Sequence, residues 1–140
     1  DISEDAVALA KANAAALGVG GKTAFACNEL SDAVEPGTIS AIVSNPPYIP
    51  TAECEKLPVN IRDHEPRMAL DGGPNGLMVL EAIVQDAAIA LKSGGFLFLE
   101  TGETQADAVK TLLAETGFQE VRVCKDLTCR DRVVCGTLTI

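Results

Sequence analysis

The feature that most narrows the folds open to this chain is Phe96–Glu100, FLFLE, four apolar residues in a row ending on an acid. An apolar run without alternation reads as a strand covered on both faces, the habit of parallel sheets. A second run, Ile39–Ser44 (ISAIVS), is halted by Asn45-Pro46-Pro47. Leu80, Ile83, Val84, Ala87 and Leu91 form a helical stripe closed by Lys92-Ser93-Gly94-Gly95, and Val109, Leu112 and Leu113 mark a further helix ending at Gly117. Val121 and Val123 alternate with Arg122 and Cys124 in a strand, and Val133–Ile140 gives a last strand after a loop short enough for antiparallel pairing. Strands alternating with helices predict an α/β fold, with a mostly parallel sheet and an antiparallel C-terminal strand.

The beginning of the chain is unusual for that class. Ser3 followed by Glu4 and Asp5 reads as a helix N-cap, with Val7, Ala10, Ala14 and Leu17 on one face and Gly18 as the residue past the end. Residues 23–27 (TAFAC) are a short strand candidate. The chain thus opens on a helix with no strand before it, although helices in such sheets are crossovers between strands. Gly18-Val19-Gly20-Gly21-Lys22-Thr23 is not a phosphate loop: that pattern needs glycine where Ala16 stands, and the order strand, loop, helix is reversed. Residues 51–76 form a long polar stretch with Pro58, Pro66 and Pro74, and a segment of that length in a small domain is more often functional than idle.

Charge removes several function classes. Twenty acidic residues against eleven basic ones give a formal charge of −9, which repels phosphate backbones and anionic membranes. Direct nucleic-acid binding is therefore disfavoured, and no apolar run approaches the roughly 20 residues of a membrane span. Five cysteines (27, 54, 124, 129 and 135) include no Cys-x-x-Cys pair, and His64 is the only histidine, so no metal site is expected. Buried, reduced cysteines in a cytosol-like compartment are the expectation.

The chemistry concentrates at Asn45-Pro46-Pro47-Tyr48. A proline stop after a strand explains part of it, but the groups on offer are particular. Asn45 has a side-chain carbonyl oxygen, and each proline has a carbonyl, a fixed φ and no N–H. A rigid row of acceptors followed by an aromatic plate suits a planar –NH2 group, whose two hydrogens would be accepted while its lone pair points elsewhere.

SNPPYIP resembles the fourth motif of S-adenosylmethionine-dependent methyltransferases acting on amide or exocyclic amino nitrogens. His64-Glu65-Pro66-Arg67-Met68-Ala69-Leu70-Asp71-Gly72-Gly73 and Asn75-Gly76-Leu77 resemble the stretch that follows it in protein-glutamine N5-methyltransferases. Leu91–Gly95 before FLFLE, Lys125-Asp126-Leu127 and Arg130–Val134 extend the likeness to the HemK-type peptide chain release factor glutamine methyltransferases, from Asp1 to about residue 138. The resemblance implies a Rossmann-like class I methyltransferase fold and S-adenosyl-L-methionine as cofactor. It also implies a partial catalytic domain over 1–140, lacking the helical substrate domain, the first strand and its glycine-rich cofactor loop. Without those strands, 23–27 would have no neighbour to pair with.

Residue by residue, the resemblance makes Asn45 the acceptor for the substrate amide, with Pro46 taking the second hydrogen through its carbonyl. Pro47 and Tyr48 would wall the pocket, and Glu65, with Pro66, would brace the substrate loop. Asp1 would accept the cofactor's ribose hydroxyls, and Asn45 would also touch the cofactor. Asn28 stands where relatives usually carry an acid that contacts the adenine amino group; an amide still accepts but carries no charge, and Glu29 would substitute. The implied partner is a peptide chain release factor, met by a monomer in the cytoplasm or an organelle matrix. A ribosomal-protein glutamine methyltransferase shares Asn-Pro-Pro-Tyr and His-Glu-Pro, but the Lys125–Val134 ending favours the release factor enzyme. An adenine-N6 nucleic-acid methyltransferase is disfavoured by charge. A non-catalytic remnant that binds a partner is the alternative from another class, and the fragment itself would then be inactive.

Overall fold

The computed structural model describes residues 1–28 and 34–139. Two compact units divide the chain, Asp1–Glu35 and Pro36–Ile140.

The first unit is built on α1 (Glu4–Ala16). Ser3 caps it by accepting from the Ala6 N–H at 3.2 Å, and Ser3's own N–H donates to Asp1 Oδ1 at 2.8 Å. At the other end Gly18, at φ +69°, lets its N–H reach the Ala15 carbonyl while Val19 N–H reaches Ala14, satisfying carbonyls the helix leaves open. The stripe is narrower than expected: Val7 and Ala14 are buried, whereas Ala10 and Leu17 are exposed, Leu17 because it lies beyond the last helical residue. A 3₁₀ turn over Gly20–Lys22 follows, and residues 23–28 after it are not helical. The strand expected at 23–27 does not form. Among the described residues no strand pairs with it; the Ala26 carbonyl accepts only from the Asp1 ammonium, at 3.2 Å. A single extended segment without a ladder partner is not a strand, whatever its apolar content.

The second unit is a four-stranded sheet, β1 (Ile39–Ser44), β2 (Leu91–Glu100), β3 (Phe118–Lys125) and β4 (Asp131–Leu138), in the order β1-β2-β4-β3. β1 and β2 are parallel, and β4 inserts antiparallel to both β2 and β3. β2 begins earlier than the sequence implies: Leu91 pairs with Ile39, a bulge follows, and the ladder resumes at Phe96 with Ala41. The short helices α2 (Thr51–Cys54) and α3 (Val59–Arg62) and a 3₁₀ turn (Arg67–Ala69) fill the polar stretch after β1. The crossover helices α4 (Met78–Ala90) and α5 (Ala106–Glu115) come next to β2 and β3 respectively.

Parallel crossovers are right-handed, and β1, β2 and β3 advance across the sheet in one direction, so both crossover helices belong on the same face. The burial pattern agrees. Leu80, Val84 and Ala87 of α4 and Val109 and Leu113 of α5 are fully buried with Leu97, Leu99 and Val134 of the sheet. The expectation that FLFLE is covered on both faces therefore holds for one face only. Phe96 and Phe98 point the other way and are 49% and 37% exposed, with ring centroids 6.4 Å apart. Leu99→Ala should cost about 2–5 kcal/mol by urea unfolding, the usual range for a fully buried leucine. Val43→Thr, on the open face, should stay within about 0.5 kcal/mol.

Candidate active site

β1 stops at Ser44 because Pro46 and Pro47 cannot donate to a ladder. The chain then crosses the C-terminal ends of the parallel strands, where ligand crevices form in open α/β sheets. From there the segment is sewn to the glycine-rich loop that precedes α4. Ile49 N–H donates to Leu70 O at 3.0 Å, Gly72 N–H to Ile49 O at 2.9 Å, and Thr51 N–H to Gly73 O at 2.9 Å.

Two glycines of that loop allow the backbones to touch. A Cβ on Gly72 would come within 2.8 Å of both Pro47 O and Tyr48 Cα. One on Gly76 would come within 2.3 Å of Tyr48 O, at a φ of +74° that suits glycine. Gln105 closes the arrangement from the start of α5. Its Nε2 donates to Tyr48 O at 2.9 Å and Gly76 O at 3.2 Å, while its Oε1 accepts from Gly102 N–H at 3.0 Å.

Tyr48 is fixed at both ends. Its hydroxyl donates to Glu100 Oε1 at 3.1 Å. Burial, the Glu100 hydrogen bond and the Glu100 charge push its pKa up, with Arg132 acting weakly the other way, so the phenol remains a neutral donor. Arg132 donates to Thr101 O at 3.3 Å and pairs with Asp126 at 3.3 Å, which links the residue after β2 to the β3–β4 loop. That loop is itself tied: Asp126 Oδ1 accepts from the Thr128 hydroxyl at 2.6 Å, Thr128 N–H at 2.8 Å and Arg130 N–H at 3.1 Å. Those bonds hold the Asp126 carboxyl well below the usual carboxylate range.

A shallow hollow of about 160 Å³ is lined by Asn45, Pro46, Pro47, Tyr48, Ala69 and Leu70. A neighbouring one of about 140 Å³ is lined by Val43, Ser44, Asn45, Phe98, Glu100 and Val133. Asn45 is common to both. It is exposed, and among the described residues nothing hydrogen-bonds its side chain. Pro46 is buried, and Pro47 and Tyr48 are half-buried.

Glu65 was expected to brace the loop, but its side chain is exposed and makes no hydrogen bond among the described residues. Pro66 contributes through its carbonyl, which accepts from Ala69 N–H at 2.9 Å. The bracing falls instead to Arg67 and Asp71. Asp71 accepts from the Thr51 hydroxyl at 2.7 Å and from Gly73 N–H and Arg67 Nε at 3.0 Å, and Arg67 also pairs with Glu55. The Thr51, Gly73 and Arg67 bonds keep the Asp71 carboxyl below its ordinary value.

Asp1 and Asn28 belong to the first unit. There one Asp1 carboxylate oxygen already accepts from Ser3 N–H, and Asn28 is half-buried; Glu29 lies outside the described residues. The expectation of buried cysteines is met by Cys54 alone, where burial pushes the thiol pKa up. Cys27, Cys124 and Cys129 are exposed, Cys135 is intermediate, and all five are free thiols. Gln105, Glu100 and Arg132 carry no motif of their own; the acid ending FLFLE was the one visible signal among them.

Among solved structures, S-adenosylmethionine-dependent methyltransferases share this fold. An O-methyltransferase of that kind from Thermotoga maritima superposes with a TM-score of 0.69 over 100% of this chain and 48% of its own, at 12% identity. The E. cuniculi Mtq2–Trm112 complex, responsible for methylation of the eRF1 translation termination factor, gives 0.57 over 91% of this chain and 68% of its own, at 22% identity. No protein-family model matches. Sequence comparison narrows the class. The release factor glutamine methyltransferase of Caulobacter vibrioides is 40% identical over 97% of this chain, and that of Bradyrhizobium diazoefficiens 45% identical over 81%. The chain is similar to both, and it spans 47% and 38% of the lengths of those two relatives.

Two outcomes follow from the geometry. Gly76→Ala should cost about 1–3 kcal/mol in thermal unfolding, from the close contact and the positive φ together. A depressed carboxyl pKa contributes stability above its ordinary value, 3.8 for an aspartate, and loses it as pH falls. The difference in melting temperature between wild type and Asp126→Asn should therefore be full near pH 7 and shrink steadily below about pH 4.

Proposed function

We propose that this chain forms the substrate-amide half of an S-adenosylmethionine-dependent enzyme that methylates a glutamine side chain of a peptide chain release factor. One observation carries the reading: Asn45 presents an unclaimed side-chain amide on the rim shared by two hollows, beside a buried proline whose carbonyl accepts no hydrogen bond from the described residues. The similarity to release factor glutamine methyltransferases supports it. On this reading the chain is part of a catalytic domain, and the glycine-rich cofactor loop lies outside it.

An amide nitrogen is a poor nucleophile because its lone pair is delocalised into the carbonyl. Accepting one N–H at Asn45 Oδ1 and the other at Pro46 O raises electron density on the nitrogen and fixes the direction of its lone pair. Tyr48, immobilised through Glu100, packs its ring on the flat amide and excludes water from one side. The proton leaves after methylation, when the nitrogen has become acidic, so no strong base is required at this end. When bound, S-adenosylmethionine supplies an electrophilic methyl group. The donor set fits it in part: Asp1 and Asn28 offer the acceptors that a ribose and an adenine amino group require, with one Asp1 oxygen already committed to Ser3. Phosphate-directed chemistry is disfavoured by the charge of −9. The expected setting is a monomer in the cytoplasm or an organelle matrix.

The test is methyl transfer by the full-length protein, cofactor loop included, from labelled S-adenosylmethionine to a purified release factor, with the labelled residue located by mass spectrometry. Asn45→Ala should lower kcat by about 10²-fold or more while leaving the affinity for S-adenosylmethionine within about twofold. Unchanged turnover would remove Asn45 from the mechanism.

A further inference from the structure

We infer that Gln105 is a positioning residue that sets the register of the acceptor row, an inference that rests on the amide-methylation reading. The row offers three consecutive backbone carbonyls, at Pro46, Pro47 and Tyr48, and a substrate amide needs one of them in a fixed direction. Tyr48 O is occupied, since it accepts from Gln105 Nε2 at 2.9 Å. Pro47 O accepts no hydrogen bond from the described residues but is crowded by Gly72, where a Cβ would come within 2.8 Å of it. Among the described residues Pro46 O is neither hydrogen-bonded nor crowded by a glycine of that loop. The choice of acceptor is thus made by elimination, and Gln105 performs half of it.

Its own placement is rigid. Gln105 is 9% exposed at the start of α5, the helix whose Val109 and Leu113 are fully buried under the sheet. Its N–H donates to Gly102 O at 3.0 Å, its carbonyl accepts from Val109 N–H at 3.0 Å, and its Oε1 accepts from Gly102 N–H. The amide nitrogen then reaches two separate segments at once, Tyr48 O and Gly76 O, with Asn75 O at 3.5 Å. A side chain of this kind needs both a donor and an acceptor end. Glutamate keeps the length and the acceptor but sets a carboxylate oxygen against two carbonyls; methionine keeps the length and neither polar end.

The experiment compares wild type, Gln105→Glu and Gln105→Met, each in the full-length protein that carries the cofactor loop, in release factor methylation and in backbone amide hydrogen exchange. Both variants should lose about 10- to 100-fold in kcat, as expected for a displacement of order 1 Å, with KM for S-adenosylmethionine within about twofold. The amides of Ile49, Thr51 and Gly72, which stitch the row to its loop, should exchange faster. Wild-type kcat in a folded Gln105→Met protein, or a loss confined to KM for the cofactor, overturns the inference. So does unchanged exchange at those three amides. If wild type methylates no release factor, the functional reading fails, and exchange alone still decides whether Gln105 holds the row. Should neither variant fold, the side-chain NH2 of Gln105 in wild type decides: protection from exchange supports the role, and free exchange overturns it.

Discussion

Two prolines in succession leave a segment that cannot hold itself. Pro46 and Pro47 have no N–H, so the strand exit contributes carbonyls and almost no donors to its own support. Whatever fixes it must come from elsewhere as donors or as close packing. Here the supports arrive from three directions: the glycine-rich loop through Gly72 and Gly76, the start of α5 through Gln105, and the end of β2 through Glu100. The rest of the second unit can be understood as scaffolding that brings those three to one place.

The sheet topology makes that convergence possible. Because β1 and β2 are parallel, their C-terminal ends lie side by side, and Ser44 pairs with Leu99 one residue before Glu100. Tyr48 can then reach an acid 52 residues away in sequence. The antiparallel insertion of β4 carries Arg132 to the same end, beside Thr101. An all-parallel arrangement would have sent the start of that strand to the opposite end of the sheet, away from Thr101.

Much of this was legible in the residues, and the boundary of legibility has a physical cause. Asn45–Tyr48 stood out because proline imposes its restrictions locally, and the alternation of strands and helices followed from apolar spacing. Gln105 did not stand out, since a glutamine at a helix start has no local signature and its partners lie 29 and 57 residues away. Residues 23–27 show the converse failure: their apolar composition is compatible with a strand, but a strand exists only where a neighbour completes the ladder. Glu65 and Arg67 divide similarly. Their neighbourhood marked the loop as structured, but which side chain ties it is decided by Thr51, Glu55 and Asp71, which the local pattern does not reveal. The cysteines misled for the same reason, because a residue's average preference for the interior does not fix its position on a given strand or loop.

The bond between Tyr48 and Glu100 has one more consequence. An aromatic plate on a loop ordinarily samples several rotamers, and a ligand that stacks on it must first collect them into one. With the phenol tethered and the adjoining backbone clamped, that ordering is completed when the chain folds, so the ring meets any planar partner with its orientation already chosen. The site thereby gains selectivity for flatness: a partner with a tetrahedral centre at that position finds a surface that does not adjust to it.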